Sequence, residues 1–264
     1  MKLGLVTYNL AKDWDIPTII RKCTANGFEG VELRTTHAHG VEPDLSPAQR
    51  AEVKRMFADS PVTLVGLGST FEYHAADPEE LRRNIEGTKA FCRLAADVGA
   101  QGVKVRPNGV QDALGIPRER TFEQIGRSFD HCAAYAAELG VELRMEIHGH
   151  VTQEPQNFAR IMAYVEHPNA KICWNSNPTD VDEQGSIEAS FRLFAARIGL
   201  VHMRDLYIPD YPWRELIRLL HAAGYRGFCL AEIPESPEPD RIMGYYRALW
   251  AAYNELEAQR GSCC

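Results

Sequence analysis

Four segments of the chain repeat one hydrophobic pattern. In "ANGFEGVEL" (25–33), "ADVGAQGVKV" (96–105), "AAELGVELRMEI" (136–147) and "HAAGYRGFCLAEI" (221–233), a small or polar helical stretch stops at a Gly and a short aliphatic run follows. The Gly fits the position just past a helix, where the backbone turns left-handed. The run after it reads as a strand buried on both faces. Amphipathic stretches lie between these units. From Pro78 to Val98, Leu81, Ile85, Thr88, Phe91, Cys92 and Ala95 recur at helical spacing, and a second such helix is expected over Phe122–Leu139. Strands are expected near Leu3–Tyr8, Gly30–Leu33, Thr63–Leu67, Gly102–Arg106, Glu142–Glu146, Lys171–Trp174, Gly199–Met203 and Phe228–Glu232. Their spacing, roughly 30 residues, is the length of one βαβ unit. Eight such units predict an α/β fold of the (β/α)8 barrel type rather than an open sheet.

Length and composition narrow this further. The 264 residues suit one barrel, and no Ser/Pro-rich linker or composition break divides them. A single domain over 1–264 is expected, with 258–264 as a frayed tail. After the first strand, "TYNLAKDWD" has none of the glycines of a phosphate loop or dinucleotide fingerprint. A net charge of -7 without a Lys/Arg run disfavours a nucleic-acid surface. No stretch has the roughly 20 apolar residues that span a bilayer, and "MKLGLVTYNL" lacks a signal-peptide cleavage site. The expected location is cytoplasmic, with no membrane partner. Cys23, Cys92, Cys132, Cys173 and Cys229 fall inside expected helices and strands without metal-type spacing, which predicts reduced, buried thiols. The terminal pair Cys263 and Cys264 has no upstream prenylation context and reads as part of the tail.

In such a barrel the site forms where strands run into their following helices. The strand ends here are rich in chemistry. Strand two leads to Glu32, Arg34, His37 and His39; strand three to Glu72 and His74; strand four to Lys104 and Arg106; strand five, in "MEIHGH", to Glu146, His148 and His150. Strand six offers Asn175 and Asn177, strand seven His202, Arg204 and Asp205, and strand eight Glu232. Six of the nine histidines sit at these ends, leaving His131, His167 and His221 for helices and loops. A carboxylate ending an apolar strand is desolvated unless a cation or hydrogen bonds compensate. Glu146 and Glu232, with His202 and the amide oxygen of Asn175, supply a ligand set for a divalent cation such as Mn, Mg, Co or Zn. The structural alternative is that both acids pair with Arg106, Arg34 or Lys104.

These residues carry a likeness. In "KLGLVTYNL", "GFEGVEL", "GVKV", "RMEIHGH", "LVHMRDL" and "LAEI", in that order and spacing, the chain resembles the xylose isomerase-like TIM-barrel superfamily. That superfamily holds sugar isomerases and epimerases and, in its AP endonuclease family 2-like branch, endonuclease IV-type repair enzymes. The resemblance implies a divalent-metal-dependent sugar isomerase or epimerase with a single metal on Glu146, Asn175, His202 and Glu232. Position 175 is Asn where the family commonly has Asp, which removes a negative charge and weakens the donor set. It also implies proton removal next to a carbonyl through an enediolate, with Glu146 and Glu232 as the catalytic pair. Arg106, His148, His150, Arg204, Glu32 and His37 are expected to hold the substrate, a free or modified sugar. Arg204 stands where relatives often have Lys, and Asp205 is expected to orient it or cap the loop. Trp14, Trp174 and Trp213 are candidate pocket walls, although a barrel Trp more often serves the core. A homo-oligomer is compatible with this class.

Three rivals follow. A repair nuclease of this fold needs further metal-binding histidines where this chain has Pro178 and, after Asp210, Tyr211 and Pro212. That breaks its metal cluster. A lyase or deglycosidase of oxidised, 3-keto sugars begins from the same enediolate and would release an aglycone. A non-catalytic sugar-binding barrel would explain Asn175 but has less need of two strand-end acids. Specificity is expected in the loops over 34–45, 69–78 and 106–117.

Overall fold

The glycines that punctuate the repeats turn the chain as expected. In the computed structural model, which describes residues 1–261, Gly27, Gly99, Gly140 and Gly224 all lie in the left-handed region, at φ of 71°, 79°, 69° and 69°. A side chain there would be strained. Each one ends a helix and releases the chain into the next strand. The elements alternate throughout: β1 (Lys2–Val6), α1 (Ile16–Asn26), β2 (Gly30–Arg34), α2 (Pro47–Ala58), β3 (Thr63–Glu72), α3 (Pro78–Val98), β4 (Gly102–Arg106) and α4 (Arg118–Glu138) form the first half. The second half is β5 (Glu142–Glu146), α5 (Pro155–Met162), β6 (Ala170–Trp174), α6 (Glu188–Phe194), β7 (Ile198–Met203), α7 (Trp213–Ala222), β8 (Phe228–Ala231) and α8 (Pro239–Gly261). The strands are parallel and close in chain order, with β8 paired back to β1. The (β/α)8 barrel is therefore present.

Some boundaries differ from expectation. β3 runs on to Glu72, because the ladder shifts register after Gly68 and resumes by pairing Glu72 with Arg106. The small residues Gly66, Gly68 and Ser69 end the apolar run and hide that extension. α4 begins at Arg118, four residues early, since its polar first turn carries no apolar period. The expected tail at 258–264 starts inside α8, which continues through Gly261. Ser262, Cys263 and Cys264 lie outside the described residues. No helix among those described is long and apolar enough to cross a membrane.

Two apolar layers hold the barrel. The outer one packs the strands against the helices, with Trp174, Phe122, Phe129 and Phe158 wholly buried in it. The inner one, Val6, Val65, Cys173, Leu200, Phe228 and Leu230, plugs the barrel from within. Leu230→Ala would open a void in that plug and is expected to cost about 2–5 kcal/mol, read as a lower denaturant midpoint with unchanged slope. The five cysteines named above are buried and unpaired, and burial pushes the thiols up, Cys23 to about 12 and Cys173 to about 11. They stay protonated and inert. None of the three tryptophans walls a polar cavity: Trp174 and Trp213 are core, and Trp14 lies under Lys22, 5.2 Å from its ammonium.

Candidate metal and substrate site

Alternate residues of each strand face the barrel axis. Above the inner apolar plug, those faces change from hydrocarbon to charge. Val6 and Tyr8, Glu32 and Arg34, Lys104 and Arg106, and Glu146 and His148 form stacked pairs around one cavity of about 150 Å³, completed by Asn175, His202 and Glu232. Gly66 and Gly68 on β3 make room for Glu32: a Cβ at Gly68 would stand 2.9 Å from Glu32 Oε1. A larger cavity, about 380 Å³, opens at the other end of the barrel beside Arg144. There the guanidinium is already held by Glu142 Oε2 and the Val65 carbonyl, so it offers less for a ligand.

His202 is the hub of the polar cluster. Its Nδ1 lies 3.4 Å from Glu146 Oε1 and 3.5 Å from Glu232 Oε1, while Nε2 lies 3.3 Å from Glu32 Oε1. Lys104 Nζ donates to the other oxygen of Glu146 at 2.7 Å. Glu32, Glu146, His202 and Lys104 are almost fully buried. The environments push these groups apart. Burial raises Glu232, and its carboxyl stays above the usual range. Burial raises Glu146 too, but the Lys104 ammonium, with His202, brings it well below that range. Burial disfavours the imidazolium of His202, yet the Cys173 sulfur and the Glu32 and Glu146 carboxylates hold its pKa well above the ordinary value. Glu32, also raised by burial, is drawn down by His202.

The donor set fits a divalent ion. Both nitrogens of His202 are buried without a hydrogen-bond partner, a costly state that a ligated cation on one and Glu32 on the other would relieve. Glu146, His202 and Glu232 each offer an atom within 4.8 Å of the others. Two donors bonded to one metal at about 2.1 Å and a tetrahedral angle stand roughly 3.4 Å apart, close to the separations seen.

Asn175, which lines the same cavity, is the candidate for a further donor, and its neighbours determine how it points. Asn177 Nδ2 donates to the Ile147 carbonyl at 2.6 Å, so Asn177 Oδ1 must accept. Asn175 Nδ2 donates to that oxygen at 3.3 Å, leaving Asn175 Oδ1 free on a residue that lines the cavity. The turn chemistry belongs to its neighbours. Ser176 takes the left-handed bend at φ 39° and donates to the His202 carbonyl. The backbone N–H of Asn177 donates to Asp180 Oδ2 at 2.7 Å, and Tyr211, itself bonded to Trp174 Nε1, donates to the same oxygen.

Asp180 pays for this position with burial, which pushes its carboxyl up to about 7. A folded-state pKa raised from 3.8 means that its contribution to stability is full below pH 4 and lost as pH rises through about 7. Asp180→Asn is expected to flatten that part of the stability profile, a change on the order of a few kcal/mol between pH 4 and 8 in denaturant titrations.

The expected substrate residues divide. Arg106 and His148 line the cavity; Arg106 Nη2 donates to Glu72 Oε1 at 3.2 Å and His148 Nδ1 meets Asn108 Oδ1 at 2.8 Å. Glu32 lies at the cavity floor against His202. The other three fall outside the lining. His37 is tied to Thr7 Oγ1, and His150 is exposed at the start of the turn that leads from β5 into α5. Arg204 is drawn away: its Nε donates to the Ser176 carbonyl and its Nη2 lies 3.6 Å from Asp210. Asp205 accepts from the Tyr207 N–H and so serves the loop, the second of the two roles expected for it. Tyr8, Arg34 and Lys104 enter the lining instead. The signal for them was the two-residue alternation itself, since each stands two positions from another lining residue.

A sequence model described as xylose isomerase-like TIM barrel matches residues 20–249. No curated protein sequence matches the chain. Among solved structures, D-psicose 3-epimerase from Clostridium cellulolyticum H10, with D-tagatose, superposes with a TM-score of 0.81 at 17% identity, over 96% of this chain and 99% of that one. The 3-keto-D-glucoside 4-epimerase of E. coli gives 0.77 at 15%, over 96% and 99%. The IolI protein with a bound zinc atom gives 0.78 at 15%, over 97% and 99%. At such identities the likeness is one of fold.

Proposed function

The chain belongs to the xylose isomerase-like TIM-barrel family, and from that premise we propose that it is a divalent-metal-dependent isomerase or epimerase of a small carbonyl sugar. One observation carries the reading: two carboxylates, the buried Glu146 and the partly buried Glu232, meet a single imidazole nitrogen at 3.4 and 3.5 Å and have their pKa values displaced in opposite directions. Two acids pushed apart in this way are equipped to be base and acid in one step. The names of the structural neighbours, several of them sugar 3-epimerases, support the same class.

Glu146, Asn175, His202 and Glu232 would hold the ion, which when bound supplies Lewis acidity that stabilises charge developing on the substrate's carbonyl oxygen. The chain's own groups do the rest. Lys104 keeps Glu146 ionised, able to accept a proton from the carbon beside the carbonyl. Glu232, raised by burial, is set to return one from its own side of the cavity. Glu32, 3.3 Å from Nε2, would hold that side of the His202 ring and leave Nδ1 toward Glu146 and Glu232. The apolar plug closes the cavity from beneath. A cavity of about 150 Å³ suits a single sugar, well below the roughly 300 Å³ at which drug-sized pockets begin. A bulky aglycone would lie outside it, which favours isomerisation over deglycosylation.

The test is solvent exchange. With Mn, Co, Mg or Zn supplied, a panel of ketoses, their phosphates and keto sugar acids in D2O should show deuterium entering next to the carbonyl of at least one member, followed by a new isomer. EDTA should abolish it. Metal-loaded protein that exchanges none of them would overturn the proposal.

A further inference from the structure

The rim of the cavity is unlike its floor. Glu32 and Glu146 lie deep, whereas Arg34 and Arg106 stand one alternation higher, at the ends of β2 and β4. Gly68 of β3 lies between these strands, paired with Arg34 on one side and Lys104 on the other. A Cβ there would only touch Arg34 Cγ, at 3.5 Å, so the room this glycine makes is for Glu32 below, and the arginine's stem lies against the strand at ordinary contact distance.

Arg34 has no hydrogen bond or ion pair through its guanidinium among the described residues. It is braced on the face of Tyr8, 5.3 Å from the ring centroid. Arg106 is fixed by Nη2, which donates to Glu72 Oε1 at 3.2 Å and to the Thr70 carbonyl at 3.5 Å. Its Nε is buried with no partner. Guanidinium groups donate and never accept. A neutral sugar, whose hydroxyls each donate as well as accept, is served by mixed donors and acceptors; a rim of unspent guanidinium donors suits a group that only accepts. The charge balance agrees. Arg34, Lys104 and Arg106 face Glu32, Glu146 and Glu232 across the cavity, so a divalent ion would leave it net positive.

We propose that Arg34 and Arg106 form an anion subsite at the mouth of the barrel, and that the substrate carries a carboxylate or phosphate group distal to its reacting carbonyl. Arg34 is the specificity-determining residue, because its guanidinium is uncommitted and held in place by Tyr8. Arg106 adds a second, already oriented fork. The inference rests on the isomerase reading above and narrows its substrate to an anionic sugar derivative.

Calorimetric titration tests it with three probes, D-fructose, D-fructose 6-phosphate and D-glucuronate, each with Mn2+ present and again in EDTA. At least one anion should bind about tenfold tighter than fructose in both conditions, and Arg34→Gln should remove about that factor. Arg34→Lys, which keeps the charge, should retain part of the preference, and Arg34→Gln with Arg106→Gln should erase it, leaving the anions no tighter than fructose on the same variant. A preference for the phosphate or for the uronate alone identifies which anion the site takes. The proposal fails if neither anion exceeds fructose, or if the preference needs Mn2+ and ignores Arg34→Gln, since the ion then binds the anion. Failure of the isomerase reading looks different: anions bind through Arg34, but no compound exchanges deuterium.

Discussion

Replacing Glu232 by Gln is expected to lower the rate of epimer formation by about 10²–10⁴-fold, the usual contribution of a positioned acid or base. The substitution keeps the shape and leaves an amide oxygen able to touch a metal, so KM and metal content should change far less than kcat. Glu232 is the carboxyl that burial raises, and it is the one able to hold a proton for return to the substrate. If Glu146 removes the proton and Glu232 returns one, the Gln variant should still exchange the substrate's own proton with solvent while the new isomer no longer accumulates. NMR in D2O reads both quantities in one tube. Exchange and epimer formation falling together would make Glu232 the base, and unchanged epimer formation would remove it from the reaction.

Lys104→Met is expected to lower stability by about 3–5 kcal/mol near neutral pH, the cost of stranding one partner of a buried ion pair. Lys104 and Glu146 are 5% and 4% exposed at 2.7 Å, so water does little to screen either charge. The pH dependence follows from the displaced carboxylate. Glu146 is held well below its ordinary value, so the stability this pair contributes is present above about pH 4.5 and disappears as pH falls through the lowered folded-state value. The Met variant and the parent should converge in acid. Near neutrality the double variant Lys104→Met with Glu146→Gln should recover much of the loss, since no buried charge is then left alone. A divalent ion should raise the melting temperature of Lys104→Met more than that of the parent, because it replaces the missing cation beside Glu146. Equal melting temperatures for parent and single variant would show that the pair contributes nothing.

Lys104 also shows how the two expectations for the strand-end acids combine. The sequence allowed Glu146 and Glu232 to be metal ligands or partners of structural cations. In the fold, Glu146 turns one oxygen to Lys104 and the other toward His202, so a structural ion pair and an ion-holding geometry share one carboxylate. Asn175 is similar. The polar residues that follow β6 divide two jobs between them, with Asn177 and Asp180 closing the turn and Asn175, on the cavity lining, left with an uncommitted amide oxygen.

Sequence by itself determined what is local. Glycines that must turn left-handed, aliphatic runs buried on both faces and helices with one apolar stripe are each dictated by backbone geometry within a window of a dozen residues. Their repetition is enough to specify eight βα units, a barrel, and the strand ends that carry its chemistry. Which of those ends meet was decided by closure. Glu32, Lys104, Glu146, His202 and Glu232 come from five strands and converge only because the sheet curls until β8 pairs with β1. Side-chain direction after the last strand residue was decided there as well. Arg204 is captured by Ser176 and Asp210, and His150 is carried outward. Arg34, whose guanidinium meets only the Tyr8 ring among the described residues, remains on the rim. Strand position is a one-dimensional property, but hydrogen bonds between distant segments compete for each side chain, and that competition exists only once the chain has folded.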